Sequence, residues 1–468
     1  MKRITVIISL LFFLMFSLEA FYRFPAVAKS RENNGKTYAI AVNKVFFNPS
    51  DPANDKWQNV LQKLIEKHSA EVFIYEGKPD TCTELKENLK NLHPYYVCFL
   101  SKPNDCERDF AESVIRCMAG LENAPYDGAV WAIFTAYNAD DALKMVDAQP
   151  LELKETLSHA GSGWLDFFDC GTSFSEGVQY DKWVKESGKQ TAKVKGPADT
   201  TDEWVKCVNS NQVDLLSTSG HASEKNWMMG YSYSSGTVAV KGNGMLQGTA
   251  SDGKIYDIST DNPKVYYSPG NCLIAHITAS QECMVLSWMH NGCYQFFGHL
   301  ETQNRTCTAW GIAVYFFYLQ DTYTYAEAVH ANRIASRYLN QKYQTGSEQS
   351  GYNRCLGITM LYGDPAWEVK MKRTMDPLYV PSYTVTELGE GKMQITATVL
   401  FNKPFKQNLT SCKPPVILLP WSISGSTVEQ SNAKETIVGS NFIMLDLDSM
   451  EIQAGQKVTA TVSCSSAE

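Results

Sequence analysis

Gly128-Ala-Val-Trp-Ala-Ile-Phe-Thr-Ala-Tyr-Asn-Ala-Asp-Asp-Ala-Leu143 holds the two patterns that decide the fold class. Ala129 to Thr135 (AVWAIFT) is an unbroken apolar run of the kind that suits a strand buried on both faces, and a helical pattern follows over Ala139 to Val146. The same alternation extends back toward the N-terminus. Tyr38 to Val42 (YAIAV), Val72 to Tyr75 (VFIY) and Tyr95 to Leu100 (YYVCFL) read as strands. Trp57, Val60, Leu61, Leu64 and Ile65 fall at helical spacing after the start signals Pro52 and Asn54, and Phe110, Val114, Cys117 and Met118 form another amphipathic set. Strands alternating with helices, joined by right-handed crossovers, predict a doubly wound α/β layer.

Further along, Leu151 to Glu203 is richer in Gly, Ser and charge. Gly161, Gly163, Gly171 and the stretch Ser187 to Asp202 (SGKQTAKVKGPADTTD) read as loops joining two α/β halves. Strand patterns resume at Val213 to Ser217 and Val265 to Tyr267, with apolar stretches at Val285 to Trp288 and Ile312 to Leu319. A long helix is predicted over about Tyr325 to Tyr343, with Ala326, Val329, Ile334 and Tyr338 on one face, and a last short strand at Ile358 to Leu361. After Pro377 the period changes to two: Met393, Ile395, Ala397 and Val399 alternate, as do Val458, Ala460, Val462 and Cys464, and Val416 to Leu419 is apolar. That pattern without helices predicts a small antiparallel sandwich of immunoglobulin type, in which Cys412 and Cys464, its only cysteines, are expected to pair.

The bulk numbers agree with a packed, multi-unit protein. A chain of 468 residues, 44% of them hydrophobic, suggests about three units. A net charge of −8 without a basic run gives no reason to expect nucleic acid, whose phosphates need basic patches. Lys2 and Arg3 precede the apolar run Ile4 to Leu18, and Ala26-Val27-Ala28 offers a small-x-small cleavage site, so residues 1–28 read as an export signal. An uncleaved anchor is the alternative, although the run is short for a span of ~20 residues. Thirteen cysteines suit an exported chain that can keep disulfides, and the odd count leaves at least one thiol over or pairing between molecules.

Two segments carry the chemistry. In Val213-Asp-Leu-Leu-Ser-Thr-Ser-Gly-His221-Ala-Ser223 an apolar strand runs into a small-residue turn that delivers a histidine. In Lys264-Val-Tyr-Tyr-Ser-Pro-Gly-Asn-Cys272 a second strand-like run delivers a cysteine. The carboxyl ends of parallel strands are where α/β sheets put ligands and catalytic groups, and a thiol nucleophile needs a neighbouring histidine that favours its thiolate. Each segment alone also fits a satisfied strand-end histidine and a buried or bridged cysteine. Together, in this order and about fifty residues apart, they resemble the caspase-like clan of cysteine peptidases, and within it the gingipain type. Gly128 to Leu143 is similar to that family's WAILTG element, and Leu361-Tyr-Gly-Asp-Pro-Ala366 to its YGDP close.

The resemblance covers roughly Tyr38 to the C-terminus and implies a definite architecture: an α/β, caspase-like doubly wound parallel sheet in two subdomains (36–150 and the catalytic 151–376), then an immunoglobulin-like β-sandwich at 377–468. It implies an exported cysteine endopeptidase, secreted or held at the cell surface, that acts on protein or peptide substrates. Cys272 would be the nucleophile and His221 the acid/base, with the oxyanion held by the backbone N–H groups of Cys272 and Ala222. No cofactor is required, and a structural calcium ion enters only by family analogy. Two positions depart from the family pattern: Ala222 follows the histidine where Gly is usual, and Asn271 precedes the cysteine where a small residue is commoner.

Other readings are weaker. An exported binding or surface protein that kept the scaffold without catalysis is the main rival, because fold does not fix function. His276, His290, Cys293 and His299 cluster in sequence but match no zinc-ligand spacing. Gly242 to Gly248 (GNGMLQG) is not a dinucleotide fingerprint and reads as a loop, and no GxSxG, HExxH or phosphate-loop motif occurs. Asp214 and Glu224 are candidates to orient His221 or to select a basic substrate side chain.

Overall fold

The computed structural model describes residues 36–466 apart from 122–125, 162–163, 303–307, 344 and 410–411. The expected export signal, residues 1–28, lies outside the described residues. Among those described, no helix is long and apolar enough to cross a membrane.

The N-terminal part alternates as its apolar periods predict. Strands β1 (Tyr38–Asn43), β2 (Glu71–Tyr75), β3 (Tyr96–Leu100) and β4 (Val130–Phe134) are separated by helices Asn54–His68, Thr83–Leu92 and Arg108–Ala119, and helix Ala139–Val146 follows β4. These strands pair in parallel in the order β2-β1-β3-β4. β1, β3 and β4 are buried almost throughout, which is why they read as continuous apolar runs.

The stretch expected to be loops carries five strands. After the short β5 (Leu151–Leu153) come β6 (Glu155–His159), β7 (Cys170–Phe174), β8 (Asp181–Lys185) and β9 (Ala192–Lys195). β8 and β9 form an antiparallel hairpin at the outer edge of the sheet, with β9 exposed along its length. An edge strand needs little apolar content and is protected from further pairing by lysines. Lys193 and Lys195 play that part here, and the resulting polarity hid the strand in the sequence.

β10 (Leu215–Gly220) then returns to the sheet interior. An antiparallel meander follows: β11 (Asn226–Met228), β12 (Thr237–Gly242), β13 (Met245–Thr249) and β14 (Ile255–Ile258). The Gly242 to Gly248 segment is therefore the β12–β13 hairpin rather than a free loop, its turn made possible by positive φ at Gly242, Asn243 and Gly244. β15 (Lys264–Asn271) and β16 (Cys293–His299) follow, separated by helix Met284–His290. Helices Ile312–Phe316, Tyr325–Tyr343 and Gly346–Gly357 lead to β17 (Thr359–Gly363), and β18 (Val369–Met371) pairs with β5.

Twelve of these strands belong to one sheet in the order β2-β1-β3-β4-β17-β16-β15-β10-β6-β7-β8-β9. The expectation of a purely parallel sheet is corrected: β17 runs antiparallel to β16, and the β8–β9 hairpin is antiparallel, so the sheet is mixed. The two α/β halves share this sheet across the β4–β17–β16 seam.

The C-terminal part is all antiparallel strand. One sheet is ordered β19 (Tyr379–Gly389), β20 (Lys392–Phe401), β25 (Lys457–Ser466), β22 (Ile423–Ser431), and the other β21 (Val416–Leu418), β24 (Phe442–Asp446), β23 (Glu435–Val438). β20 and β25 alternate buried and half-buried residues, as the period-two pattern required. These sheets dock on helix Tyr325–Tyr343: the Tyr338 hydroxyl donates to Asp446 Oδ2 at 2.8 Å, and Lys342 Nζ meets the same carboxylate at 2.8 Å. The expected Cys412–Cys464 bridge is not formed. Cys464 is a buried free thiol among the apolar residues of β25, where it serves as a small hydrophobe.

Candidate active site

β10 and β15 are parallel neighbours at the centre of the second half of the sheet, and Gly220 stands opposite Asn271 in their register. The next residue on each chain is His221 and Cys272, so the two emerge side by side from adjacent strand ends spaced by ~4.8 Å. The fifty-residue separation in sequence is taken up by the β11–β14 meander and its connections, which leave the sheet after His221 and return at β15.

Local backbone sets how each residue is presented. Gly220 has φ +99°, a conformation closed to most side chains, and it turns the chain out of β10. His221 is exposed and stacks on Tyr231, ring centroids 5.0 Å apart at 27°. Its carbonyl accepts from Met228 N–H at 2.8 Å, and Ser223 N–H donates to Asn226 O at 2.8 Å, so Ala222 is bridged with Trp227 in a short hairpin. In this wide antiparallel pair the ladder bonds belong to the flanking residues, which turns the Ala222 N–H outward, away from the hairpin. The Ala222 methyl lies half-buried against the core and leaves that main-chain donor unaltered. On the other strand, Cys272 is half-buried and is followed by Leu273 at φ +56°, a left-handed conformation uncommon for leucine.

The strand ends are held together by side chains. Asn271 is fully buried; its Nδ2 donates to Gly220 O at 2.9 Å, and its Oδ1 accepts from Thr218 Oγ1 at 2.7 Å and Ser268 Oγ at 2.6 Å. Trp227 Nε1 donates to Ser219 O at 2.8 Å. Gly270 is obligatory, since a Cβ there would stand 2.1 Å from Ser219 Oγ. The residue that departed from the family pattern in sequence is thus a built part of the site's frame.

A carboxylate that the sequence reading did not single out lies beside this frame. Glu176 follows β7, another parallel strand of the same set, and its Oε2 is buried with no hydrogen-bond partner among the described residues. Burial pushes its carboxyl up, partly offset by the Ser219 hydroxyl. A Cβ on Gly220 would lie 4.0 Å from Oε2, and Glu176 O accepts from Tyr231 N–H at 2.5 Å. The signal that could have found it is positional: it ends a strand of the same parallel set as β10 and β15, but its strand had been read as loop.

The other candidates fall elsewhere. Asp214 precedes β10 at its far end, roughly 20 Å along the strand from His221, where its Oδ2 accepts from Lys154 and Glu155 N–H at 2.7 and 2.9 Å. Glu224 feels His276 and Cys283 instead, and its carbonyl caps Met284 N–H at 2.7 Å. The four residues of the histidine cluster have separate environments. His290 Nδ1 bonds Asp141 at 2.7 Å, Cys293 is buried on β16, and His276 is half-buried. His299 is fully buried with Nδ1 on Asn271 O at 3.1 Å, and burial lowers its pKa to about 4. Among the described residues no three His, Cys, Asp or Glu side chains converge as a metal ion would require.

A cleft of about 1110 Å³ opens at the other end of the sheet, lined in part by Lys36, Tyr95, Trp367 and Trp421. Neither His221 nor Cys272 borders it, and Glu327, one of its four acidic residues, is already paired with Lys36 at 2.7 Å, so volume alone does not mark the chemistry.

No protein-family model matches the chain, and no curated protein matches it.

Proposed function

We propose that this chain is an exported cysteine endopeptidase of the caspase-like, gingipain type, with an immunoglobulin-like C-terminal domain. The observation that carries the reading is the pairing of β10 with β15, Gly220 opposite Asn271, which brings an exposed imidazole and a half-buried thiol to neighbouring strand ends. A thiol next to an imidazole, with the outward Ala222 N–H beside the histidine, suits acyl transfer.

In that reaction the Cys272 thiolate attacks the peptide carbonyl, forming a C–S bond and an oxyanion. The N–H groups of Ala222 and Cys272 stabilise the oxyanion, each such donor being worth ~3 kcal/mol of barrier. The C–N bond then breaks as His221 gives its proton to the departing amine. His221 next takes a proton from water, whose oxygen attacks the thioester and releases the acid and the free thiolate. Glu176, a buried carboxyl near the histidine-bearing strand end whose Oε2 has no hydrogen-bond partner among the described residues, supports a preference for a cationic group on the substrate.

The test is alkylation of the full chain with an iodoacetamide probe followed by peptide mapping. The expected result is rapid labelling at Cys272 that slows by ~10²-fold or more in His221→Ala. Slow labelling of Cys272 indifferent to His221, or fast labelling only at other thiols, would favour a non-catalytic binding protein on the same scaffold.

A further inference from the structure

The ladder between β10 and β15 is interrupted just before it reaches the site. Ser217 pairs with Tyr267 and Ser219 with Gly270, so β15 spends three residues where β10 spends two. The extra residue sits at Ser268-Pro269, opposite Thr218. Proline has no N–H to donate, so the main chain cannot carry the ladder through this point. A bulge so close to the strand ends leaves their relative height weakly set, and a slip of one residue would offset them by ~3.3 Å.

We infer that Asn271 is a positioning residue: its side chain splices the ladder across the bulge and fixes the level at which His221 and Cys272 stand. Its three side-chain bonds go to the interrupted segment and its far side. Oδ1 accepts from Thr218 and Ser268, the residues facing each other at the bulge, and Nδ2 donates to Gly220 O, the carbonyl of the peptide that leads into His221. The Thr218 hydroxyl lies 2.9 Å from the Tyr266 hydroxyl of β15 itself, and His299 Nδ1 of β16 holds the Asn271 carbonyl at 3.1 Å, so the splice is anchored on its own strand and on the next. Asn271, Thr218, Ser268 and His299 are all fully buried, and every bond is neutral. Only an amide offers one acceptor for two hydroxyls together with a donor for the carbonyl; an aspartate keeps the first function and loses the second. A small residue here would leave Gly220 O, Thr218 and Ser268 without these partners and the register to the bulge.

This inference rests on the peptidase reading for its functional consequence, but its structural content can be tested separately. Asn271→Ala should slow alkylation of Cys272 by ~10²-fold, the cost of about 1 Å of misplacement in a reacting pair. Peptide hydrolysis should lose kcat with KM little changed, as misplacement of reacting groups in the transition state requires. Asn271→Asp should lose nearly as much, whereas Thr218→Val and Ser268→Ala, each removing one hydroxyl, should cost only several-fold. A crystal structure of Asn271→Ala should show the 220/271 register lost and the separation of the two side chains altered. If that register is retained, the inference is overturned whatever the chemistry does. If the register is lost but neither the labelling rate nor kcat falls, the positioning role is overturned. Failure of wild-type Cys272 to react at all, with register lost in the variant, would instead remove the peptidase reading and leave the splice as the device that aligns the two strands.

Discussion

At the amino end of the central sheet, Tyr38 and His68 grip a carboxylate; at the carboxyl end, β10 and β15 are joined by an amide and two hydroxyls. Asp364 accepts from Tyr38 OH at 2.9 Å and meets His68 Nε2 at 2.8 Å, with Lys67 at 3.5 Å, while the Tyr38 and His68 rings stack 4.2 Å apart. Burial would raise the Asp364 carboxyl, but His68 and Lys67 hold it well below the usual carboxylate range. Nearby, Glu327 takes Lys36 and Tyr95 at 2.7 and 2.9 Å. These ionisable groups are spent on one another. At the carboxyl end Glu176 Oε2 has no described partner and His221 stands exposed. The difference teaches that ionisable groups become available for chemistry where neutral bonds do the structural work.

That contrast can be broken or sharpened by experiment. The largest effect is expected at the carboxyl end: Cys272→Ser or His221→Ala should reduce peptide hydrolysis by at least ~10³-fold. Thermal unfolding should change little, because His221 is exposed and Cys272 only half-buried. At the amino end the outcome should invert. Asp364→Ala should cost about 2–3 kcal/mol in denaturant unfolding, by leaving the Tyr38 hydroxyl and the His68 ring without their buried acceptor, with turnover per folded molecule unchanged. Because the folded Asp364 pKa is depressed, its stabilisation is present above ~3.9 and declines as pH falls through that value. Lost turnover in a stable Asp364→Ala protein would break the comparison.

A third effect comes from buried histidines of the second half. Burial lowers the pKa of His159, His299 and His330 to about 4 each. Unfolded histidine binds its proton near ~6.5, so the unfolded state gains protons first and stability falls between ~6.5 and 4. Each should contribute about 2 kcal/mol of loss at pH 5 relative to pH 7, visible as a lower denaturant midpoint. Removing one imidazole, as in His159→Gln, should flatten that pH slope. The smallest change is expected from Glu176→Gln, which should lower kcat/KM for a substrate with a cationic side chain by ~10-fold relative to a neutral analogue. An equal loss for both substrates would count against a specificity role.

Much of this was legible in the chain, and the reasons differ by residue. β1, β3 and β4 announced themselves because a doubly covered strand must be apolar throughout; the helix Tyr325–Tyr343 was legible as a helix, but it is buried on every face over 325–336 rather than on the one face its apolar residues suggest. β8 and β9 did not, because an exposed edge hairpin has no burial to impose a pattern. Val285 to Trp288 was legible as apolar but not as helix, since a short fully buried segment loses the periodicity that separates the two. Glu176 stayed hidden behind the misread strand before it.

The sequence by itself determined the α/β character, the all-strand C-terminal part and the two segments that end in His221 and Cys272, because burial periodicity and turn residues are local properties. Only the tertiary structure decided that β10 and β15 are neighbours, that Gly220 lies level with Asn271, and that the extra residue at Ser268-Pro269 is bridged by an amide. Strand order and register arise from pairings between distant residues, which no local pattern encodes.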